Sequence, residues 1–182
     1  MNRLQEKYQK EVIPTLEKEF GKTNIMAVTK PVKIVVNVGI NKKENADASK
    51  FIESMTQQLM TITGQKPKVT AARKSIAGFK IRQGDAVGLC VTLRGNLMWE
   101  FFDKLTSIVL PRMKDFQGVK RATDKTGNYN LGFTEQIVFP EIEYDKINKI
   151  SGLQVTIVNS GSDPKEALRM LELLGMPFEK AE

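Results

Sequence analysis

The sequence contains no histidine, a single cysteine (Cys90) and no apolar run longer than a handful of residues. Without histidine, Ser-His-Asp triads, histidine general bases and histidine metal ligands are excluded. One cysteine excludes an intramolecular disulfide and a cysteine-cluster zinc site, and it fits a reducing cytosol. The apolar runs fall far short of the roughly 20 residues that span a bilayer, and the N-terminal residues resemble no signal or transit peptide. We therefore predict no cofactor, no metal and no membrane association.

Catalytic motifs are also scarce. The GQKP segment at 64–67 lacks the glycine spacing and the Ser/Thr of a phosphate-binding loop, so Lys66 is not expected to hold a nucleotide. Glu141 and Glu143 would point the same way from a strand, but two such carboxylates more often form its hydrated face than an acid–base pair. We predict that the protein is not an enzyme. A nucleotide-dependent phosphotransferase using Lys66 and the two glutamates is the alternative.

Positive charge is abundant and unevenly placed. The formal net charge is +7, and residues 66–134 contain 13 Lys+Arg against 5 Asp+Glu, whereas the rest of the chain contains 15 against 16. Clustered cations gain free energy when they release counterions from nucleic-acid phosphates. This segregation favours an RNA-binding protein. A scaffold that binds an acidic protein and a merely solvated surface are the alternatives.

Apolar residues spaced three and four apart predict four helices. They cover residues 2–20, Asp47 or Ala48 to Thr63, a segment capped by Asn96, and a segment capped by Asp163. Asp163 is followed by a proline and, two residues further on, a glutamate, which is the clearest helix-start signal in the chain. The inward face of the helix after Asn96 is predicted to consist of Leu97, Phe101, Leu105, Ile108 and Val109.

Strands are predicted at 32–40, 68–72, 86–94, 136–143 and 153–158. Most neighbouring strands can join through hairpins, and the helices need one sheet face to cover. The pattern therefore predicts an α+β fold, with a mainly antiparallel β-sheet, helices packed on one face and an open sheet face for RNA. Residues 1–182 are expected to form a single domain with long loops at about 73–85 and 111–134.

Polar side chains in two of these strands outline a candidate ligand surface. Lys33 and Asn37 are four residues apart and so share a strand face, and Thr92 and Arg94 share a face of another strand. Such a face offers cations for phosphates and polar groups for ribose hydroxyls. A solvated face without a ligand explains the same pattern equally well.

A cationic stretch lies between the second and third predicted strands. Residues 66–84 carry six Lys and Arg side chains, and the first acid after them is Asp85. The flanking strand signals make this stretch the tip of a long hairpin. A solvated hairpin, a phosphate-binding loop and an arm that contacts a partner are the three interpretations.

Several long blocks resemble a known family. KSIAGFKIRQGDAVGLCVTLRG (74–95), LPRMKDFQGV (110–119), GNYNLGFTEQIVFPEIEYD (127–145) and GMPFEK (175–180) are similar to bacterial large-subunit ribosomal protein L-five. The resemblance extends over essentially the whole chain. It implies a structural constituent of the large ribosomal subunit in the cytoplasm. The implied partners are 5S rRNA in the central protuberance, large-subunit rRNA, the P-site tRNA, neighbouring 5S-binding ribosomal proteins and a small-subunit head protein.

The resemblance also assigns residues to three surfaces. The implied rRNA-binding residues are Lys33, Asn37, Gln65, Thr92 and Arg94. The implied tRNA-contacting loop consists of Arg73, Lys74, Ser75, Ile76, Ala77, Gly78, Phe79, Lys80 and Arg82. The implied bridge to the small subunit consists of Arg112, Lys114, Asp115, Lys120 and Arg121. The chain departs from the family pattern at Asn41, Lys42 and Ala71, and Ala71 removes an expected arginine contact with RNA.

Overall fold

A computed structural model of the chain describes residues 2–40, 48–114, 116–142, 149–161 and 163–179. It is an α+β fold built on a five-stranded, open antiparallel sheet with helices, which confirms the predicted class. None of the helices within these ranges is long and apolar enough to cross a membrane. Asn41 and Lys42, two of the departures from the family pattern, lie outside the described residues.

The sheet has the strand order β2-β3-β1-β5-β4. The strands are β1 (Pro31–Gly39), β2 (Lys68–Ala71), β3 (Ala86–Leu93), β4 (Tyr129–Phe133) and β5 (Leu153–Asn159). β2 and β3 are antiparallel, with Lys68 opposite Cys90 and Thr70 opposite Gly88. The predicted strands that correspond to β1, β2, β3 and β5 are therefore confirmed.

The strand predicted at 136–143 is wrong. Residues Gln136–Val138 form a 3-10 helix that leads into a turn, while β4 lies earlier, inside the predicted 111–134 loop. The buried amide of Gln136 explains the change, because it donates to the carbonyl of Lys149 (2.8 Å) and accepts from the N–H of Ser151 (2.5 Å). These two bonds hold a turn where β-branched residues suggested a strand.

The helices begin and end largely where local signals place them. They are α1 (Arg3–Lys7), α2 (Ile13–Phe20), α3 (Ala48–Thr63), α4 (Gly95–Lys104) and α5 (Pro164–Leu173), with a π-helical turn at Tyr8–Val12 joining α1 to α2. The side chain of Asn2 accepts the N–H of Leu4, and that of Asp163 accepts the N–H of Lys165. Gly21 closes α2 with φ +62°, a conformation that glycine adopts without strain.

The start and inward face of α4 differ from the prediction. The helix begins at Gly95, so Asn96 is not its N-cap, and α4 continues into a π-helical turn, Leu105–Val109. A π-turn inserts an extra residue into the helical repeat, which moves Ile108 away from the core. Leu97 and Ile108 are therefore exposed by 39% and 44%. The buried residues are Met98, Trp99, Phe101, Phe102, Leu105, Thr106 and Val109.

The chain divides into two compact units. The first comprises Met1–Ile34, Arg94–Asn130 and Thr156–Glu182, and the second comprises Val35–Leu93 and Leu131–Val155. β1, β4 and β5 each run from one unit into the other along the chain. The single domain expected from the sequence stays a prediction.

A buried ion pair organises the segment between α2 and β1 in the first unit. Glu166 is 1% exposed and accepts the N–H of Thr29 (3.0 Å), while its other oxygen pairs with Lys22. Tyr8 donates its hydroxyl to the carbonyl of Thr29, and burial, with the charge of Glu166 adding to it, raises the pKa of Tyr8 to about 12. Glu166 thus binds residues far away in the sequence, although its position suggested a helix-capping role.

The second unit packs α3 against β3. The inward residues of α3 are the four that helical spacing predicted: Phe51, Met55, Leu59 and Ile62, all buried. Opposite them, Leu89, Val91 and Leu93 of β3 are no more than 1% exposed. This covered side of β3 leaves the alternate residues of the strand on its other, accessible side.

Candidate nucleic-acid interface

Alternation along β1 and β3 separates a buried side from an accessible side. Val36 and Val38 of β1 are buried, whereas Asn37 between them is half-buried. In β3, Thr92 is half-buried between two buried residues. We use the term accessible face for the sides of the strands that carry these polar residues. The predicted placement of Asn37 and Thr92 on such a face is what the backbone pattern gives.

The other predicted rRNA-binding residues are also reachable from solvent. Lys33 is half-buried on the same side of β1 as Asn37, and Arg94 is exposed directly after the end of β3. Gln65 is exposed after α3, and its N–H donates to the hydroxyl of Thr63 (3.3 Å). Asn37, Gln65 and Thr92 belong to the second unit, whereas Lys33 and Arg94 belong to the first.

A broad depression opens on the second unit, with a volume of about 560 Å³. Asn37 lines it together with Thr70 of β2 and Gln154 of β5, two residues that the sequence interpretation did not assign. The sequence of β5 contains a usable signal, because polar Gln154 and Thr156 alternate with buried Leu153, Val155 and Ile157. Three glycines, Gly39, Gly88 and Gly152, complete much of the remaining wall.

The cationic stretch forms a folded hairpin, which we call the arm (residues 72–85). At its base, the N–H of Ala72 donates to the carbonyl of Asp85 (2.8 Å). Halfway along, the N–H of Gln83 donates to the hydroxyl of Ser75 (2.9 Å). Near the tip, Ile76 and Ile81 exchange two backbone hydrogen bonds of 2.9 and 3.2 Å. The arm is thus a narrow hairpin whose described backbone bonds are mostly internal.

The tip of the arm presents cations and apolar side chains to solvent. Residues Ala77–Phe79 form one 3-10 turn, which Lys80 ends in the left-handed region with φ 55°. Phe79 is 63% exposed and Ile76 is 49% exposed. All of the predicted tRNA-contacting residues are exposed: Arg73, Lys74, Ser75, Ile76, Ala77, Gly78, Phe79, Lys80 and Arg82. Exposed aromatic rings beside cations can stack on bases while the cations bind phosphates.

The predicted bridge residues occupy two settings. Arg112 and Lys114 are exposed at and just beyond the end of the 3-10 turn that follows α4. Lys120 and Arg121 are exposed in an extended segment, where Arg121 pairs with Glu172 (2.8 Å) and lies 5.6 Å from the ring of Phe178. Asp115 lies outside the described residues.

The residues of the enzymatic alternative are not brought together as a site. Lys66 is exposed, Glu141 lies in a turn rather than in a strand, and Glu143 falls outside the described residues. Among the residues with a described position, no group of three or more His, Cys, Asp or Glu side chains could hold a metal ion.

Comparison with known families and proteins identifies the chain. The model of ribosomal protein L5 matches residues 24–82, and that of the ribosomal L5 family C-terminus matches residues 86–178. The large ribosomal subunit protein uL5 of Chloroflexus aurantiacus is 55% identical over 177 residues, which are 97% of each chain. The uL5 of a Thermoanaerobacter species is 52% identical over 182 residues, 99% of this chain and 100% of that one. The uL5 of Clostridium perfringens is 51% identical over 179 residues, 98% and 99% of the two chains. The chain belongs to the ribosomal protein L5 family.

Proposed function

We propose that this ribosomal protein, a non-enzymatic constituent of the large subunit on cytoplasmic ribosomes, binds 5S rRNA through the accessible face of its sheet. The observation that carries the proposal is the alternation in β1 and β3, where polar side chains stand opposite a fully buried apolar side. The apolar side uses the strands for the core, so the accessible face is left for a polar ligand. Large-subunit rRNA and neighbouring 5S-binding proteins complete the proposed surroundings.

The residue types suit folded RNA. Lys33 and Arg94 can neutralise phosphates, while Asn37, Gln65 and Thr92 can hydrogen-bond ribose hydroxyls and base edges. Arginine suits the phosphate role because its guanidinium can donate two parallel hydrogen bonds. The division of labour is that the cations supply affinity and the neutral groups supply discrimination.

The test of this surface is the affinity for 5S rRNA measured as a function of salt. If about five phosphates are neutralised, the slope of log K against log salt should lie between roughly −3.5 and −4.5. Arg94→Ala should weaken binding by about 1 to 3 kcal/mol. Arg112→Ala, which removes an exposed arginine outside the proposed surface, is the matched control and should bind as the unchanged protein does. Salt-independent binding, or equal losses in both variants, would refute the assignment.

We further propose that the arm contacts the P-site tRNA. Support comes from its exposed Phe79, its four cations and a shape held by its own hydrogen bonds. Deleting residues 74–82 should spare 5S rRNA binding, because none of the proposed rRNA residues lies in the arm, and should impair tRNA-dependent steps of translation. Loss of 5S rRNA binding on deletion would contradict the separation of the two surfaces.

Arg112, Lys114, Asp115, Lys120 and Arg121 are proposed to meet a protein of the small-subunit head. The support is the run of exposed cations, which suits an acidic partner surface. Reversing charge with Arg112→Glu and Lys114→Glu should weaken association of the subunits in a sedimentation assay, and unchanged association would remove these residues from the bridge.

A further inference from the structure

The depression on the second unit is larger and more polar than binding to phosphates requires. We propose that it is a base slot, in which one unstacked nucleobase of the bound 5S rRNA is held, lined by Asn37, Gly39, Thr70, Gly88, Gly152 and Gln154. This inference rests on the function proposed for the accessible face. It adds a ligand subsite and two residues, Thr70 and Gln154, that the assigned surface does not include.

Backbone packing keeps the slot open. A Cβ atom on Gly88 would lie 2.8 Å from the carbonyl oxygen of Val38 and 3.0 Å from the hydroxyl of Thr70. A Cβ atom on Gly152 would lie 3.0 Å from the carbonyl oxygen of Phe133. Larger residues at these two positions would therefore push the strands apart, and the missing side chains leave room above the backbone.

The lining chemistry favours a base over a phosphate. None of the described residues that line the slot is charged, whereas phosphate sites in proteins are built from cations or clustered N–H donors. Asn37 and Gln154 carry amides that make no side-chain hydrogen bond to another described residue. Such amides can donate and accept at once, which is how asparagine and glutamine recognise base edges.

Size and neighbouring charge agree with this assignment. The volume of 560 Å³ lies within the range of small-ligand pockets, about 300 to 1,000 Å³. Lys68 is exposed on β2, two residues from Thr70 and therefore on the same side of the strand. A base in the slot would bring its own phosphate towards a cation of this kind, so the neutral slot and the charged rim bind different parts of one nucleotide.

Two glycine substitutions provide a matched test. A Cβ atom would meet nothing within 4 Å at Gly39, which lines the slot, or at Gly132, which lies on the accessible side of β4 outside the slot lining. Neither glycine has a positive φ, so valine suits both strand positions. Gly39→Val should fill the slot, whereas Gly132→Val should change only the exposed surface beside it.

The experiment probes 5S rRNA bound to each protein with base-specific methylation and with hydroxyl-radical cleavage of the backbone. We expect the unchanged protein and Gly132→Val to protect one base edge that Gly39→Val leaves reactive, with the backbone footprint retained. The affinity of Gly39→Val should fall by about fivefold or more, the value of one good side-chain-to-base pair. Identical base protection in Gly39→Val would overturn the slot. A missing backbone footprint with the unchanged protein would instead overturn the proposed function itself.

A second variant keeps the proposal falsifiable if Gly39→Val does not fold. Gln154→Met preserves the length of an exposed side chain while it removes the amide. We expect the same base to lose protection in Gln154→Met while the melting temperature is unchanged. Full protection in this variant would show that Gln154 does not hold a base, and the slot as drawn would be wrong.

Discussion

The arm and the 116–128 segment look alike in the sequence, since both carry glycines and cations and neither has a helical or strand period. The arm is stabilised by hydrogen bonds within residues 72–85, and its tip is exposed. The 116–128 segment is stabilised by residues that lie far away in the sequence. Val119 donates to the carbonyl of Pro177 (2.8 Å) and accepts from Glu179 (3.0 Å), and Val119 itself is only 8% exposed.

This difference shows that a missing period says nothing about packing. A hairpin closed by its own backbone can extend into solvent and still hold one shape. A segment paired with residues near position 178 becomes part of the core of its unit, although its sequence is that of a loop. The comparison can be tested by substitutions that should matter in one region and not in the other.

The largest expected contrast is between Gly118→Ala and Gly78→Ala. Gly118 has φ +112°, and a Cβ atom there would lie 2.6 Å from the backbone nitrogen of Glu179. A Cβ atom on Gly78 would meet nothing within 4 Å. We expect Gly118→Ala to lower the free energy of unfolding by about 2 to 4 kcal/mol and Gly78→Ala to change it by less than about 0.5 kcal/mol, measured by urea denaturation. Equal effects would mean that the 116–128 segment is not docked.

Tyr129 provides the next largest effect and a dependence on pH. Its hydroxyl donates to the carbonyl of Lys120 (2.7 Å), so Tyr129→Phe should cost about 1 kcal/mol at neutral pH. Burial, with the charge of Glu179 adding to it, raises the pKa of Tyr129 from 10.0 to about 12. Because the folded state binds this proton more tightly, its contribution is complete below pH 10 and is lost as the pH rises towards 12.

Urea denaturation at several pH values between 9 and 12 tests the alkaline loss. The unfolding free energy of Tyr129→Phe should fall less steeply over this window than that of the unchanged protein. Tyr8, whose pKa is also raised to about 12, should maintain part of the slope in the variant. Parallel curves for the two proteins would contradict the assignment to Tyr129.

A smaller effect is expected for Arg121→Ala. Its ion pair with Glu172 is half-exposed, and such pairs contribute only about 0.2 to 1 kcal/mol. Raising the salt concentration should reduce the difference in melting temperature between Arg121→Ala and the unchanged protein. A loss that is large and independent of salt would mean that contact with Phe178, rather than charge, holds the segment.

The smallest global effect is expected for Ser75→Ala in the arm. It removes the acceptor of the Gln83 N–H, so this amide should exchange with solvent faster. The melting temperature should stay the same, because the arm adds no buried side chain to the core of its unit. A clear fall in melting temperature would show that the arm is coupled to the rest of the fold.

Local signals predicted the elements that local forces decide. The asparagine and aspartate caps of α1 and α5 and the inward face of α3 follow from residues within a few positions of one another. β4 was missed because its buried residues alternate over only five positions, with a glycine and an asparagine between them. The turn at Gln136 depends on bonds to residues 149 and 151, which no local pattern contains.

The candidate site divides in the same way. Asn37 and Thr92 were found because alternation within one strand is visible in the sequence. Thr70 and Gln154 were not assigned, because the depression that they line joins strands that are distant in the chain. Its volume depends on where backbones approach each other, and a sequence without aligned relatives does not encode that directly.

The pairing of Val119 with the residues around Phe178 has a consequence for the order of events during synthesis. Residues 177–179 are translated long after residue 119, so a nascent chain that has reached α4 has no partner for this segment. The surface that carries Lys120 and Arg121 is therefore completed only after α5 has been made. The arm closes on itself and needs nothing that is translated later, so it can fold as soon as residue 85 is available.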